Sequence, residues 1–281
     1  MPQDFSIEPG VFGERLVLEG TWHDEIVDYM LTHKIVELNV NYARGFVGRN
    51  LDFLQSLPFL EGLLLLVYNI TDISAIHNLH SLRSLNIACR DKTPLDFSNF
   101  PVLEDCGLDW RSKSSSIFKC ATLKNLYIEK YLGKDTELFR DLINLEELSL
   151  VAGSVADLSG LGRLYKLREL GLYRLQSLTS LQGIEDLHEL VILNIDTCRR
   201  LTSISEVQAL SKLHRLQLTN CNDIESLQPI IRSRGLEEIY FHESTNIIDG
   251  NLSVLTHLPN LSKVSYKNRK HYSHPREDFP S

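Results

Sequence analysis

The stretch LEELSL at residues 145–150 recurs along the chain at a nearly constant spacing. It returns as LRELGL at residues 167–172 and as LVILNI at residues 190–195. Further copies begin at residues 60, 82, 103, 123, 213, 236 and 261, so that ten copies follow one another at steps of 20 to 25 residues. The shared template is L-x-x-L-x-L, and its thirty key positions are all apolar when Cys106 and Tyr266 are counted. Self-similarity at this period predicts a repeat protein whose units stack on one another.

Each copy of the template predicts a short strand with one buried face and one solvent face. Side chains alternate along a strand, so template positions 4 and 6 point into the core while positions 3 and 5 point away from it. The count is continued past the six template residues, and position 7 also points away from the core. The segment leading to the next strand must cover that core, as Leu158, Leu161 and Leu164 do after the copy that starts at Leu145. These returns are short and rich in Ser and Asp, which favours one-turn helices or 3₁₀ segments.

The repeat resembles the leucine-rich-repeat family, in particular its short internalin-like and phosphatase-regulator-like subclass. The segments CNDIESLQPI at residues 221–230 and NITDISAIHNLHSL at residues 69–82 carry this likeness, because the strand is followed there by an I-x-D-I-x-x-L type of pattern and a brief return. The resemblance covers about residues 13–268. It implies a bacterial chain with an α/β fold, a leucine-rich-repeat solenoid shaped as a horseshoe or arc. Such a solenoid has a concave parallel sheet of about twelve strands and short helical or 3₁₀ returns on its convex side.

The resemblance also bears on two cysteines and on function. Cys198 and Cys221 lie nine residues into their repeats, where members of the family often carry an Asn or Cys whose side chain bonds loop backbone. We therefore expect a structural role for both. The property that the family shares is the binding of other molecules through the strand face, so the resemblance implies a binding function without naming the partner.

The chain divides into a cap, a repeat region and a tail. Residues 1–59 are expected to form an N-terminal cap with helices and the first two, irregular repeats. These two weaker copies of the template are GERLVL at residues 13–18 and IVELNV at residues 35–40. Residues 60–268 contain the ten regular repeats. Residues 269–281 carry many charges and few aliphatic side chains, which predicts a mobile C-terminal tail.

Two helices are expected within the cap. Thr21 and Asp24 resemble a capping box, with Asp in place of the usual Glu, that opens a helix over residues 22–33. A second helix is predicted over residues 51–57, with Asn50 as its N-cap. Both would cover the open end of the first repeat, as the stacking of repeats requires.

The composition excludes several classes of protein. The chain has 281 residues, 49 of them Leu, with 43% hydrophobic and 23% charged residues, as in a soluble globular protein with an aliphatic core. It has 37 acidic and 29 basic residues and a formal net charge of −8, which argues against nucleic-acid binding. The longest apolar run is the six residues 63–68, well short of the roughly 20 that a membrane span needs. The N-terminus also lacks the pattern of a secretory signal.

Metal binding and catalysis find no support in the sequence. Five cysteines without a C-x-x-C pair predict reduced thiols in a cytoplasmic protein. The H-x-x-H pairs, His77 with His80 and His271 with His274, lack neighbouring Cys or carboxylate ligands, so we expect no metal site. There is no G-x-S-x-G, Walker or H-E-x-x-H motif. We therefore expect no catalytic residues and no cofactor. We also expect the chain to be a monomer.

The solvent side of the central strands is the predicted binding site. In the repeats that start at residues 103, 123, 145, 167 and 190, template positions 3, 5, 7 and 8 hold six acids and two bases, a net charge of −4. Aromatic side chains, which protein interfaces enrich, are interleaved with them. The predicted partner-binding residues are Asp105, Asp109, Trp110, Tyr127, Glu129, Glu147, Glu169, Tyr173, Arg174 and Asp196. An acidic face with aromatic anchors fits a protein with a basic surface, and the alternative is an ordinary solvated strand face.

Another part of the predicted strand face is apolar. Leu64, Leu66 and Val67 occupy positions 5, 7 and 8 of the repeat that starts at residue 60, where they would form an exposed apolar patch. Alternatively, the register slips at this repeat and the N-terminal cap buries these residues. The sequence leaves both interpretations open.

These features favour a cytoplasmic, non-enzymatic protein-interaction scaffold. The acidic face also fits an immunity or antitoxin protein that neutralises a basic toxin. The likeness to phosphatase regulators implies, as a further alternative, a regulatory subunit of an enzyme such as a phosphatase, and an exported effector is another. In each case the chain would bind a protein partner.

Overall fold

Two compact units make up the chain. The computed structural model describes residues 4–90, 93–111 and 113–280. The first unit extends to Leu126 and the second begins at Tyr127. The strands described in the first unit are β1 (Phe5–Pro9), β2 (Glu14–Leu18), β3 (Glu37–Asn41), β4 (Gly62–Val67), β5 (Ser84–Cys89) and β6 (Asp105–Asp109), and β7 (Asn125–Glu129) spans the boundary. Those of the second unit are β8 (Glu147–Val151), β9 (Glu169–Tyr173), β10 (Ile192–Asp196), β11 (Arg215–Thr219), β12 (Asp223–Ile224), β13 (Glu238–His242), β14 (Asn246–Ile247) and β15 (Lys263–Tyr266).

The first unit begins with a hairpin that the repeat pattern does not predict. β1 pairs antiparallel with β2, whereas β2 to β6 run parallel in chain order. β2 and β3 are the two weaker template copies expected at residues 13–18 and 35–40. β1 precedes the first copy and so lies outside the repeat, although the alternation of Phe5 and Ile7 with Ser6 and Glu8 is typical of a strand.

The second unit stacks its parallel strands in the predicted register. β8 to β11, β13 and β15 follow one another in chain order. Residues 148–150 of β8 lie opposite residues 170–172 of β9, which confirms the spacing of the template. The two short strands β12 and β14 form a separate parallel pair.

The template positions build the core. All thirty are buried except Leu261, which is half-buried. Cys106 and Tyr266, which stand where most copies have an aliphatic residue, are 2% and 6% exposed. The returns contain 3₁₀ segments, such as Ser159–Arg163 and Ser205–Ala209, as their length and composition predict. Strands and 3₁₀ returns therefore alternate as in a leucine-rich-repeat solenoid.

The α-helix of the N-terminal cap begins later than the sequence predicts. This helix, α1, spans Glu25–His33 instead of residues 22–33. The predicted capping box is wrong, because Asp24 makes no side-chain cap hydrogen bond. Thr21 Oγ1 donates instead to Asp4 Oδ2 at 3.3 Å. The loop before α1 is thus tied to Asp4, the residue that precedes β1.

The cap contributes apolar side chains to the core from two segments. Ile26 and Met30 of α1 are buried. The second predicted helix is the 3₁₀ segment Asp52–Ser56, in which Leu54 is buried and the first amide donates to Asn50 Oδ1 at 3.3 Å. Within the described ranges, no helix combines the length and the apolar character that crossing a bilayer requires.

An aromatic cluster closes the second unit at its C-terminal end. Tyr266 of β15 stacks on Phe241 of β13 with ring centroids 4.5 Å apart. Tyr272 and Phe279 meet the Tyr266 ring edge-on at 5.7 and 6.3 Å. Residues 269–280, for which the sequence predicts a mobile tail, therefore include side chains that pack on the last repeat. The segment has few aliphatic residues, and its aromatic rings provide the apolar surface that packs on the last repeat.

A row of residues in the left-handed conformation follows the strands of the second unit. These residues occupy template position 8 of six successive repeats, have φ between 52° and 61°, and are Lys130, Ala152, Arg174, Thr197, Asn220 and Glu243. The backbone amides of the first five bond to the end of the next strand, as Lys130 does to the carbonyl of Val151 and Arg174 to that of Asp196, both at 2.7 Å. A left-handed conformation costs a residue other than Gly about 1–2 kcal/mol. The hydrogen bonds to the next strand therefore offset a conformation that these side chains disfavour.

Neighbouring returns of the second unit meet backbone to backbone. Gly160 is buried in the 3₁₀ segment Ser159–Arg163, and its amide donates to Thr136 Oγ1 at 3.0 Å. A Cβ atom at this position would overlap the carbonyl oxygen of Thr136 and crowd the amide of Glu137. The close approach of these two returns therefore requires a glycine.

Candidate protein-binding face

The strand face is the side of the sheet that template positions 3, 5 and 7 occupy. In the second unit these positions form three rows across the strands, which are Glu147, Glu169 and Ile192, then Ser149, Gly171 and Asn194, then Val151, Tyr173 and Asp196. Neighbouring members of a row lie about 4.8 Å apart, the spacing of adjacent strands. Each repeat therefore contributes its side chains to the same three rows.

Asp105, a predicted binding residue in the first unit, is fixed by neutral donors on the strand before it. Its Oδ2 accepts hydrogen bonds from Ser84 Oγ at 2.6 Å and from Asn86 Nδ2 at 2.9 Å. The side chain of Asp105 is half-buried. Sequence reasoning missed Ser84 and Asn86, although they occupy face positions 3 and 5 of the preceding repeat, because that repeat lies outside the five central ones.

Two further predicted residues of the first unit, Asp109 and Trp110, lie near aromatic side chains. The charge of Asp109 contributes to the raised pKa of Tyr68, whose main cause is the hydrogen bond with Tyr42. Trp110 packs against Phe118 with ring centroids 5.5 Å apart. Trp110 is half-buried in this contact, so its ring supports the structure as well as offering surface to a partner.

Glu129 lies near the two bases of the predicted patch. Its Oε1 is 3.5 Å from Lys130 Nζ and 3.7 Å from Arg174 Nη2. Both cationic side chains are more than half exposed, at 60% and 58%, so these ion pairs are weak. Weak ion pairs therefore link Glu129 to both bases of the predicted patch.

Two glutamates stand side by side on this face. Glu147 of β8 and Glu169 of β9 are partners in register, with Glu147 exposed and Glu169 half-buried. Like charges on directly opposed residues of a sheet reduce its stability. The register therefore brings two acidic side chains together at this point of the face.

The two predicted tyrosine anchors of the second unit differ in how their rings are placed on the face. Tyr127 of β7 is 42% exposed. The ring of Tyr173 instead lies over Gly171, where a Cβ atom would overlap it. Burial, followed by the nearby charge of Glu169, raises the pKa of Tyr173. Tyr127 is therefore a projecting contact, while Tyr173 forms part of the floor of the face.

Basic side chains gather on the strand face farther along the second unit. Arg215 and Lys263 lie over the ring of Tyr240, at 5.1 and 5.5 Å from its centroid. Arg215 also approaches Glu238, with Nε 3.5 Å from Oε2. Sequence reasoning missed Arg215, which holds position 3 of the repeat after the five central ones. The face is thus acidic at β8 and β9 and more basic towards β15.

The comparisons with known proteins rest on structure. No protein-family model and no curated protein matches this sequence. The structure is similar to that of an internalin from Listeria monocytogenes, with 20% identity, a TM-score of 0.61, and 92% of this chain and 83% of that chain covered. It is also similar to a leucine-rich-repeat protein of Leptospira interrogans, with 20% identity, a TM-score of 0.69, and 90% and 72% of the two chains covered. The chain has an internalin-like leucine-rich-repeat fold.

A plant protein shares this leucine-rich-repeat fold. It is the ectodomain of the membrane receptor kinase GASSHO1/SCHENGEN3 from Arabidopsis thaliana, solved in complex with Casparian strip integrity factor 2. The match has 16% identity and a TM-score of 0.59, and it covers 89% of this chain and 31% of the plant chain. At these identities the likeness concerns the fold, which commonly serves as a protein-interaction scaffold and is typically non-enzymatic.

Cysteines of the leucine-rich repeats bond the backbone of preceding strands. Cys198 Sγ donates to the carbonyl of Leu172 and Cys221 Sγ to that of Ile195, both at 3.5 Å. Thr245 Oγ1 makes the corresponding bond in the following repeat. The structural role expected of both cysteines is therefore confirmed. In the described ranges, no three His, Cys, Asp or Glu side chains are placed together to hold a metal ion.

We expect four of the thiols to resist alkylation in the folded protein. Burial raises the pKa of Cys120 and Cys221 to about 11 and that of Cys198 to about 12, and it raises the pKa of Cys106 well above the usual value. Because the thiolate is the nucleophile, these thiols stay protonated and unreactive at pH 8. Iodoacetamide labelling mapped by mass spectrometry should modify them only after unfolding in urea. Labelling of any of the four at the rate of free glutathione would contradict this.

Proposed function

We propose that this leucine-rich-repeat chain is a non-enzymatic scaffold that binds a protein with a basic surface on its strand face. Its fold commonly serves protein interaction, and the Arabidopsis neighbour was solved in complex with Casparian strip integrity factor 2. The five cysteines are free thiols, which suits a reducing compartment, and a cytoplasmic location is part of the proposal.

The observation that carries the proposal is the register of Glu147 and Glu169. Two carboxylates opposed on neighbouring strands repel each other in the free protein. A Lys or Arg of a partner that is placed between them would interact with both carboxylates, so the contact gains more than a single exposed ion pair provides. Tyr127 on β7 and Asp196 on β10 extend the same face to either side, and the exposed ring of Tyr127 adds the kind of apolar contact that interfaces favour.

We expect Glu169→Lys to weaken partner binding at least tenfold while leaving the fold as stable as before. A lysine opposite Glu147 would replace a repulsion by an attraction of roughly 0.2–1 kcal/mol, so the melting temperature should rise slightly or stay unchanged. The same lysine would repel a basic partner and slow its association. Affinity capture from the source cell with mass spectrometry identifies the partner, and calorimetric titration then compares the dissociation constants of the two forms.

Glu206→Lys is the matched control for this experiment. Glu206 lies in the return Ser205–Ala209, where its carboxylate accepts hydrogen bonds from the hydroxyls of Ser180 and Ser205. The substitution changes the net charge by the same amount on the other side of the repeat. Its affinity should stay within twofold of the parent chain. Equal losses in the two variants would mean that net charge, not the strand face, governs binding, and the proposal would fail.

A further inference from the structure

The strand face of the first unit has an apolar floor that the second unit lacks. Leu64 and Leu66 of β4 keep the register of the template and are half-buried, whereas Val67 is fully buried. The open question from the sequence is thus answered, since the register does not slip and two of the three residues reach the surface. Ala88 of β5 lies beside Leu66 in register, so the apolar surface continues onto β5 in this row. In the other row Asn86 of β5 lies between Leu64 and Gly107 of β6, so the apolar floor gives way there to polar groups. Among the ten regular repeats, none of the others has aliphatic residues at both position 5 and position 7.

Aromatic side chains border this floor where the strands end. Tyr42 follows β3 and Tyr68 follows β4, and their ring centroids are 4.6 Å apart. They are 47% and 42% exposed. Arg90 lies 5.5 Å from the centroid of the Tyr68 ring, on the side of β5. Two adjacent rings that remain this exposed form one wall of a shallow groove above Leu66.

The turn of the N-terminal hairpin borders the floor where the strands begin. The amide of Phe12 donates to the buried carboxylate of Glu37, which also pairs with Arg15 at 2.9 Å. The ring of Phe12 lies 4.4 Å from the guanidinium of Arg83. These contacts hold the turn in place over the first residues of β3 to β5. The groove is therefore closed at both ends of the strands and open across them.

Negative charge lies at the β6 side of the groove. Asp105 accepts its two hydrogen bonds from neutral donors, and among the described residues no Lys or Arg forms an ion pair with it. The carboxylate is thus oriented by two neutral groups. Asp109 adds a second carboxylate four residues farther along the same strand. An apolar floor beside an oriented carboxylate is complementary to an aliphatic side chain close to a cation.

We infer that this groove of the first unit, formed by Leu64, Leu66, Tyr42, Tyr68 and Asp105, binds an extended segment of the partner that carries an aliphatic residue followed closely by a Lys or Arg. The inference rests on the proposed function and names the part of the partner that the first unit recognises. β4 and β6 are two strand spacings apart, about 10 Å. An extended chain advances about 3.3 Å per residue, so a separation of two to four residues, with the reach of a long basic side chain, spans this distance.

A random heptapeptide library displayed on phage and selected on the intact chain tests the inference. We expect the enriched peptides to carry Leu, Ile or Val followed two to four positions later by Lys or Arg. A synthetic copy of an enriched peptide should bind at least tenfold more weakly to Leu66→Ser and to Asp105→Asn. It should bind Glu206→Lys, the control on a return, within twofold of the parent chain. Thermal melting of each variant verifies that it is folded.

The outcomes separate this inference from the proposed function. Enriched peptides without the aliphatic–basic pair, or enrichment equal to that on the Leu66→Ser/Asp105→Asn double variant, would overturn the inference. If Glu169→Lys still abolishes partner capture in that case, the proposed function stands without it. A concentration-dependent dimer of the chain that Leu66→Ser abolishes would also overturn it, because the occupant of the groove would then be a second copy. Enrichment of the expected pair, lost in both single variants, supports it.

Discussion

Cys106→Asp is expected to lower the free energy of unfolding by roughly 3 kcal/mol or more at pH 7. Cys106 holds template position 4 of its repeat, lies opposite Leu85 of β5 and is 2% exposed. Burial first, and then the charge of Asp105, raises the pKa of the Cys106 thiol well above its usual value. A carboxylate at this position would meet the same apolar surroundings and the same neighbouring charge. Urea denaturation measures the loss.

The loss should depend on pH in a defined direction. The new carboxyl group would have a higher pKa in the folded state than in the unfolded state, so the unfolded state would release its proton first as the pH rises. The variant should therefore lose further stability, relative to the parent chain, as the pH rises from about 4 to 7. Cys106→Val, which keeps the site apolar, should cost less than about 1.5 kcal/mol at either pH. An aspartate variant as stable as the valine variant at pH 7 would place Cys106 outside the core.

Gly160→Ala is expected to cost about 2–3 kcal/mol, a large loss for the addition of one methyl group. The new Cβ would overlap the carbonyl oxygen of Thr136 and crowd the amide of Glu137. These are backbone atoms of the neighbouring return, which cannot rotate aside as a side chain would. The two returns must separate, which would weaken the hydrogen bond from Gly160 N to Thr136 Oγ1. Denaturant unfolding or the melting temperature reports the change.

Gly162→Ala provides the control within the same 3₁₀ segment. Its Cβ would meet only the carboxylate oxygen of Asp186 at 3.3 Å and more distant atoms, and an aspartate side chain can move. We expect the free energy of unfolding to change by no more than about 0.5 kcal/mol, because no backbone atom is displaced. The effect on the conformational freedom of the unfolded chain is the same for both substitutions, so the comparison isolates the contact with Thr136. Similar losses at residues 160 and 162 would show that backbone freedom, and not the contact with Thr136, determines the cost.

The regular part of the fold was predictable because every repeat needs apolar residues at the same positions. Positions 4 and 6 of every template copy must be apolar to cover the core of the next repeat, so ten weak local patterns reinforce one another. The ends of the chain lack this redundancy. β1 precedes the first copy, and the segment carrying Tyr272 and Phe279 follows the last, so neither belongs to the repeat. Their structures depend on tertiary contacts that a period cannot reveal.

The sequence predicts which residues of the candidate site lie on the strand face, but it does not predict how their side chains are arranged. The template places Asp105, Glu147 and Tyr173 on the strand face, and all three lie there. It does not say that Asp105 is held by Ser84 and Asn86, because these bonds join side chains of different repeats. Nor does it show that the Tyr173 ring lies down over a glycine. Such details follow from which neighbour is small or polar, and each pair of adjacent repeats must be considered separately.

The left-handed residues after the strands form a row that the fold constrains through the backbone. Six different residue types occupy these equivalent positions in the second unit, from Lys130 to Glu243, with φ between 52° and 61°. Their backbone bonds supply what the fold needs from them, as for the amides of Lys130 and Arg174, and leave the side chain unspecified. Side chains at this row can therefore be exchanged one repeat at a time with little effect on folding. Evolution or protein engineering could therefore change the surface of such a scaffold by substitutions in this row that leave the core intact.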